Sequence, residues 1–373
     1  MKIKAVVKKI YFGGRQFVLR LLFGSRRKTD LVPNKAGSIL VIRIDRIGDL
    51  VVSLPAVKML REAFPRATLS VLASRRNAAL LACVPFIDEV LIYTNFIKTA
   101  RCVRKKRYDI VIDLLMDYPV RGALLAHTSG APFTAGFDVA GRGFCFNCAP
   151  APDPARKYVG DYMIDLMRAV LKGLPGGPSL NESICEVFSI TAQERIYVKS
   201  LLKERGVKEQ DLLIGIHPGA YYPSQRWPSG KFAELADIII ERYGATVIII
   251  GSPQERALVD AVKKGMRSAP IDIVGLPLDK LVALIAMLNV FVCNNSGPLH
   301  IAAALKVATV STMGPTDPVM WRPRGEHGIV IRKDTDCGPC GRARCALPFC
   351  MNLIAVEEMA QAVEQQVQRR RHG

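Results

Sequence analysis

Short apolar, β-branched runs alternate with helix-patterned stretches twice along this 373-residue chain, and that alternation restricts the fold more than any other feature. In the first half SILVIRI (38–44), ATLSVLA (67–73), EVLIY (89–93) and YDIVIDLL (108–115) read as strands, with helical spacing between them, as in LVVSLPAVKMLREAF (50–64). Runs this apolar at successive positions suit strands buried on both faces, hence a parallel sheet covered by helices. The second half repeats the pattern in LLIGIHP (212–218), ATVIIIG (245–251), IDIVG (271–275), VFVCN (290–294) and VATVSTM (307–313). The expected fold is α/β: two doubly wound, Rossmann-like domains in tandem, with ligand taken at the carboxyl ends of the strands in an interdomain cleft. Residues 131–160 break the rhythm with APFTAGFDVAGRGF and the proline-rich APAPDPARK, and YVGDYMIDLMRAVLKGL (158–174) reads as a helix. The boundary is expected near 174–185, giving a first domain over 38–180 and a second over 181–373.

Charge separates a third segment. The formal net charge is +19 and is uneven, because residues 1–37 carry ten lysines and arginines against the single acid Asp30. Such a field favours anionic partners: nucleic acid, anionic lipid or phosphorylated substrates. Val6, Val7, Ile10, Tyr11, Phe17, Leu21 and Leu22 line one face of a helix interrupted at Gly13-Gly14. Residues 1–37 therefore read as a basic amphipathic arm for an anionic membrane surface, the plainer alternative being a disordered or self-packing extension. Nucleic acid is not an expected partner: no helix-turn-helix, zinc-finger or RNP pattern accompanies the charge, and aromatics near the basic runs are few. No apolar run approaches the roughly 18 residues of a spanning helix, and no secretory leader is visible. The expected location is cytoplasmic, with reduced thiols.

Three loops, each after a predicted strand, hold the residues that could carry chemistry. In DRIGD (45–49), Gly48 would let the backbone turn tightly and Asp49 would fall at or near a helix N-cap. Asp49 is then a capping residue or a general base facing the cleft, with Arg46 and Gly48 beside it on the same side. In IHPGAYYPSQRWP (216–228), Gly219 and Ala220 offer backbone N–H groups to a phosphate and Arg226 a fork of donors. His217 reads as packed or positional, and Ser229 as the cap of the next helix. In CNNSGPLHIAAALK (293–306), Asn295, Ser296 and Gly297 open a helix whose bare N-terminus suits a pyrophosphate, the alternative being a well-capped helix without ligand. No G-x-G-x-x-G follows the first strand and no Walker A stretch occurs, which disfavours a dinucleotide dehydrogenase and ATP hydrolysis.

RIGDLVVSLPAVKMLREAFP, HPGAYYPSQRWP and NNSGPLHIAAAL, in this order, resemble glycosyltransferase family 9, the heptosyltransferases of lipopolysaccharide assembly, from about Ser38 to Val367. The resemblance implies a GT-B fold with the donor mainly in the C-terminal domain. It also implies inverting, metal-independent transfer, without a cofactor, from a nucleotide sugar, typically ADP-heptose, to a lipid-linked glycan acceptor at the inner membrane. It matches the family's proposed base to Asp49. It assigns donor contacts to Gly219, Ala220, Gln225, Arg226, Asn295, Ser296, Gly297 and His300, and a ribose contact to Glu255 in GSPQER (251–256). Two positions depart from the family pattern. Gln225 stands where a phosphate-gripping lysine is common, and Asn295 where an aspartate is usual. These departures keep a catalytically weakened nucleotide-sugar-binding protein in view, and a nucleotide-sugar epimerase on a similar two-domain fold is a third reading.

The cysteines add one more reading. Cys337, Cys340, Cys345 and Cys350 cluster within fourteen residues. Four thiolates so spaced could hold a structural zinc, but the spacing is not that of paired knuckles, and incidental reduced thiols are the preferred reading. Cys145 and Cys148 lack the βαβ context of a redox site.

Overall fold

The protein, here a computed structural model, is described over residues 2–30, 36–116, 119–172 and 186–372, the side chains of 2–10 and 371–372 excepted. It divides into two compact units, Met1–Val187 and Phe188–Gly373.

The first unit runs α1 (Lys2–Phe23), β1 (Ser38–Arg43), α2 (Ile47–Ala63), β2 (Thr68–Ala73), β3 (Glu89–Ile92), α3 (Phe96–Lys106), β4 (Ile110–Asp113), α4 (Arg121–Thr128), β5 (Phe133–Gly136) and α5 (Val159–Val170). Its sheet has the order β3-β2-β1-β4-β5 and every pairing is parallel. Ile39, Leu40, Val41 and Ile42 of β1 are all buried, as a central strand between two helix layers requires. The second unit runs α6 (Ala192–Glu204), β6 (Leu213–His217), α7 (Ser229–Tyr243), β7 (Thr246–Gly251), α8 (Arg256–Gly265), β8 (Ile271–Val274), α9 (Leu278–Met287), β9 (Val290–Asn294), α10 (Gly297–Ala304), β10 (Ala308–Thr312), α11 (Pro318–Trp321), β11 (Gly328–Ile331), α12 (Phe349–Asn352) and α13 (Val356–His372). Its order is β11-β10-β9-β6-β7-β8, again all parallel. In both sheets the winding reverses between two central neighbours, β1 with β4 and β6 with β9. Those switch points are where a doubly wound sheet opens a crevice at its carboxyl edge.

Two strands escape the apolar pattern. β5, with sequence FTAG, lies inside the stretch that broke the rhythm, and β11, with sequence GIVI, is only partly buried. Both are short edge strands, where hydrophobic patterning is weakest.

The N-terminal arm differs from expectation. α1 continues through Gly13 and Gly14 without a break; Val6, Val7 and Ile10 lie outside the residues whose side chains are described. Phe12, Arg15, Gln16 and Leu19, spaced to share one helix face, are half-buried, while Tyr11, Phe17, Val18, Leu21 and Leu22 are between 53% and 72% exposed. The arm's cations are partly spent on the unit itself. Arg15 Nη2 donates to Ala140 O at 2.6 Å, and Arg26 donates to Ala131 O and His127 O at 2.8 and 3.0 Å. Lys28 Nζ reaches Gly143 O and Phe146 O at 2.7 and 3.0 Å. Over its described residues the arm is thus a helix and a following stretch bonded to the first unit. Among the described residues, no helix is long and apolar enough to cross a membrane.

Candidate active site

At the carboxyl edge of the first sheet, β1 ends on Arg43 and the chain enters α2 after only three residues. α2 starts at Ile47, with Arg46 as an N-cap that makes no side-chain cap bond, so Asp49 is the third residue of the helix rather than its cap. Gly48 likewise lies within the first helical turn, buried, and not in a tight turn. Asp49 stands in the positive end of the helix, where a carboxylate is favoured, with its side chain 18% exposed. Its carbonyl is held from below by Arg43, and Ser53 Oγ donates to it at 3.0 Å. Arg46 is exposed beside it.

At the carboxyl edge of the second sheet a denser polar group straddles the switch between β6 and β9. His217 closes β6, buried, with Nε2 at 3.4 Å from Glu255 Oε2 and Nδ1 at 3.5 Å from Ser296 Oγ. Glu255 also accepts from Ser252 N and Oγ, at 2.9 and 2.7 Å. Burial opposes its ionisation, but the His217 contact and charge, with the two Ser252 donors, outweigh that and hold the carboxyl at about 2. The carboxylate lies so close over Gly219 that a Cβ there would overlap it and come within 2.9 Å of His217 Nε2. Glycine is therefore demanded by close approach rather than by backbone angle.

The neighbouring loops complete the edge. α10 begins at Gly297 with Ser296 as N-cap, whose side chain makes no cap bond. Asn295 is 7% exposed, and its Nδ2 is a buried donor with no partner among the described residues. Asn294 is fully buried and ties three segments together: its Nδ2 donates to Pro218 O at 2.8 Å and Gly219 O at 3.2 Å, and its Oδ1 accepts from Trp227 N and Thr312 Oγ1 at 2.9 and 2.8 Å. Ala220 is buried. Arg226 folds back on its own loop, Nε and Nη2 donating to Ala220 O at 3.2 and 3.0 Å. Gln225 Nε2 donates to Thr316 Oγ1 at 2.8 Å. Ser229 begins α7, whose N-cap is Pro228.

His300 sits inside the fold. It is 4% exposed, its ring edge-on to Trp321 at 6.0 Å, and burial pushes it down to about 4, so it is neutral at neutral pH.

The cysteine-bearing segment touches the loops after β6 and β10, with Ser224 Oγ donating to Arg342 O and Gly341 N to Pro315 O. Cys337, Cys340 and Cys345 are exposed and Cys350 is buried. Burial pushes the Cys350 thiol up, and the charges of Cys340, Cys337 and Cys345 push it the same way. Among the described residues no group of His, Cys, Asp or Glu is arranged to hold a metal ion. Burial also raises Cys145, to about 12, and Cys148, which disfavours the thiolate at both.

Comparison with known proteins gives this geometry its family. The model of glycosyltransferase family 9 (heptosyltransferase) matches residues 96–350. The chain belongs to glycosyltransferase family 9. It is similar to lipopolysaccharide heptosyltransferase 2 of Escherichia coli strain K12, 26% identical over 340 residues that cover 85% of this chain and 94% of that one. The similarity to the protein of the same description in Salmonella typhimurium is 27% over 349 residues, with the same two coverages. Among solved structures, the glycosyl transferase family 9 protein of Veillonella parvula matches with a TM-score of 0.76 at 23% identity, covering 91% of this chain and 100% of that one. The E. coli ADP-heptose lps heptosyltransferase II matches with a TM-score of 0.73 at 23% identity, covering 90% and 99%. The fold is accordingly GT-B, built from two Rossmann-like units, and this family 9 member is a glycosyltransferase.

Within the family 9 chain, the structure brings Gly219, Glu255 and Ser296 together, with Asn295 and Gly297 at the same edge, but through two residues that the sequence underrates. His217 links Glu255 to Ser296, and Asn294 anchors the loops around them. A third such residue, Arg43, holds Asp49. All three are the polar last residues of apolar strands, SILVIR, LIGIH and VFVCN. That position is the signal that could have found them.

Proposed function

We propose that this glycosyltransferase moves a heptose from ADP-heptose to a lipid-linked, lipopolysaccharide-type acceptor, with Asp49 as general base. The acceptor hydroxyl attacks the anomeric carbon on the face opposite the diphosphate, and its proton passes to the Asp49 carboxylate. The bond from the anomeric carbon to the phosphate oxygen breaks as the new glycosidic bond forms, so the configuration inverts and the nucleoside diphosphate leaves. The first helical turn of α10 and the backbone around Gly219 and Ala220 offer N–H dipoles to the charge that develops on it.

The observation that carries the reading is the buried Asn295 Nδ2, without a partner among the described residues, beside the first turn of α10, whose N-cap side chain makes no bond, at the β6/β9 switch. A buried amide donor without a partner is costly, and a ligand oxygen would satisfy it. The names of the relatives supply the sugar and the acceptor class. The arm supports the location: an exposed apolar face of Tyr11, Phe17, Val18, Leu21 and Leu22 on a cationic helix suits the anionic, cytoplasmic face of a membrane that carries the acceptor.

The test is transfer from ADP-heptose to heptose-deficient lipopolysaccharide, read as a product one heptose heavier together with release of ADP. Wild type is expected to transfer and Asp49→Asn to bind ADP-heptose without transferring. Binding without transfer by the wild type, or hydrolysis or epimerisation of the donor alone, would overturn the reading.

A further inference from the structure

We propose that Arg43 is the positioning residue for the base: its buried guanidinium sets the place of Asp49 by gripping the main chain of the helix turn that carries it. The inference rests on Asp49 acting as base.

The geometry is specific to a guanidinium. Arg43 is 2% exposed at the carboxyl end of β1. Its Nε and Nη2 converge on one acceptor, the Asp49 carbonyl, at 3.0 and 2.9 Å, while Nη1 donates at 2.6 Å to Leu114 O, just past the end of β4. The same planar group thus bolts the first turn of α2 to both strands that flank the switch point of the first sheet. β1 and β4 are direct neighbours there, with Ile42 opposite Asp113.

The charge is compensated locally. Asp45 Oδ2 lies 3.1 Å from Nη1, and Asp49 Oδ1 lies 3.9 Å from Nη2. The Asp49 carboxylate is therefore beyond hydrogen-bond reach of Arg43, while its own main chain is held twice. The base is fixed in space, and its oxygens are left to meet an acceptor. A lysine would place one charge at this depth with tetrahedral donors and could not serve the Asp49 and Leu114 carbonyls in one plane. Reactions of this kind are sensitive to placement, a displacement of about 1 Å costing on the order of a hundredfold in rate.

The test compares Arg43→Lys, Arg43→Ala and Asp49→Asn in the transfer reaction with ADP-heptose. The proposal expects Arg43→Lys to lower kcat by about a hundredfold, with KM for ADP-heptose within about threefold of wild type, because the second unit is untouched. Guanidinium chloride at millimolar concentration should restore part of the turnover of Arg43→Ala and none of that of Asp49→Asn. Wild-type kcat in Arg43→Lys, or a loss that guanidinium does not rescue, overturns the proposal while leaving the base intact. Near-normal turnover in Asp49→Asn removes the base reading itself. Amide hydrogen exchange supplies a readout independent of turnover. Residues 47–53 should exchange faster in Arg43→Lys while β2 and β4 keep wild-type protection, and unchanged exchange in 47–53 would likewise overturn the assignment.

Discussion

Asn294, the last residue of β9, accepts the main-chain N–H of Trp227, 67 residues earlier in the chain, at 2.9 Å. The same side chain donates to Pro218 O and Gly219 O. One buried amide thus holds the loop after β6 at both of its ends. Asn294→Ala should orphan the Trp227 N–H and the two carbonyls and cost about 3 kcal/mol in denaturant unfolding. Asn294→Asp should cost more at neutral pH, since it turns a carboxylate toward two carbonyl oxygens. Equal stability of the aspartate variant and wild type would refute the role.

Gly219 gives a sharper steric test. In Gly219→Ala the new methyl competes for the space of the Glu255 carboxylate and approaches His217. Affinity for ADP, measured by calorimetry, should fall by roughly tenfold or more, with a stability loss of about 1 kcal/mol. Unchanged affinity would separate the His217–Glu255 pair from the donor site.

His300 sets a pH dependence whose sign follows from its burial. Its ring is pushed from 6.5 down to about 4 in the fold, so between those values the unfolded chain binds the proton more readily. The stability it supports is complete above about pH 6.5 and is lost as the pH falls toward 4. Urea unfolding should show this slope in wild type and a flatter one in His300→Gln. Glu255 acts in a lower window, with stability present above about 4.5 and lost as the pH falls toward 2. Identical slopes for wild type and His300→Gln between pH 4 and 6.5 would contradict the assignment.

The arm makes a prediction about surfaces. Leu21 and Leu22 are 72% and 70% exposed, so replacing both by glutamate should leave the melting temperature within about 1 °C of wild type. Co-sedimentation with phosphatidylglycerol vesicles should fall by about a hundredfold, from lost apolar burial and reversed charge together. Retained binding would assign the attraction to the remaining cations alone.

How far the sequence predicts all this depends on what each residue's neighbours are. β1 is legible because Ile39–Ile42 are buried on both faces, and burial is what apolar runs encode. β5 is not, because FTAG is only four residues long and its Gly136 fits against the Phe146 ring, a contact from ten residues away in sequence. The loops DRIGD, HPGAYYPSQRWP and NNSGPLH are legible as places where strands hand over to helices. Who meets whom at those places is not. The pairing of His217 with Glu255, and of Arg43 with Asp49 and Leu114, comes from the order of strands in the sheet, which no local pattern specifies. The start of α2 is a related case. The spacing of LVVSLPAVKMLREAF predicts a helix from residue 50 with Asp49 at or near its cap, whereas the helix begins at Ile47 with an N-cap that bonds nothing through its side chain.

The clamps between the arm and the first unit carry a mechanical meaning. Arg15 of α1, and Arg26 and Lys28 just after it, each donate to main-chain carbonyls of segments 127–146, so the helix and the stretch that follows it are tied to that unit at several points. It is a bracket. Were α1 to lie on an interface, these bonds would carry the sheet bearing Asp49 with it, and meeting a lipid-borne acceptor would become a search in a plane.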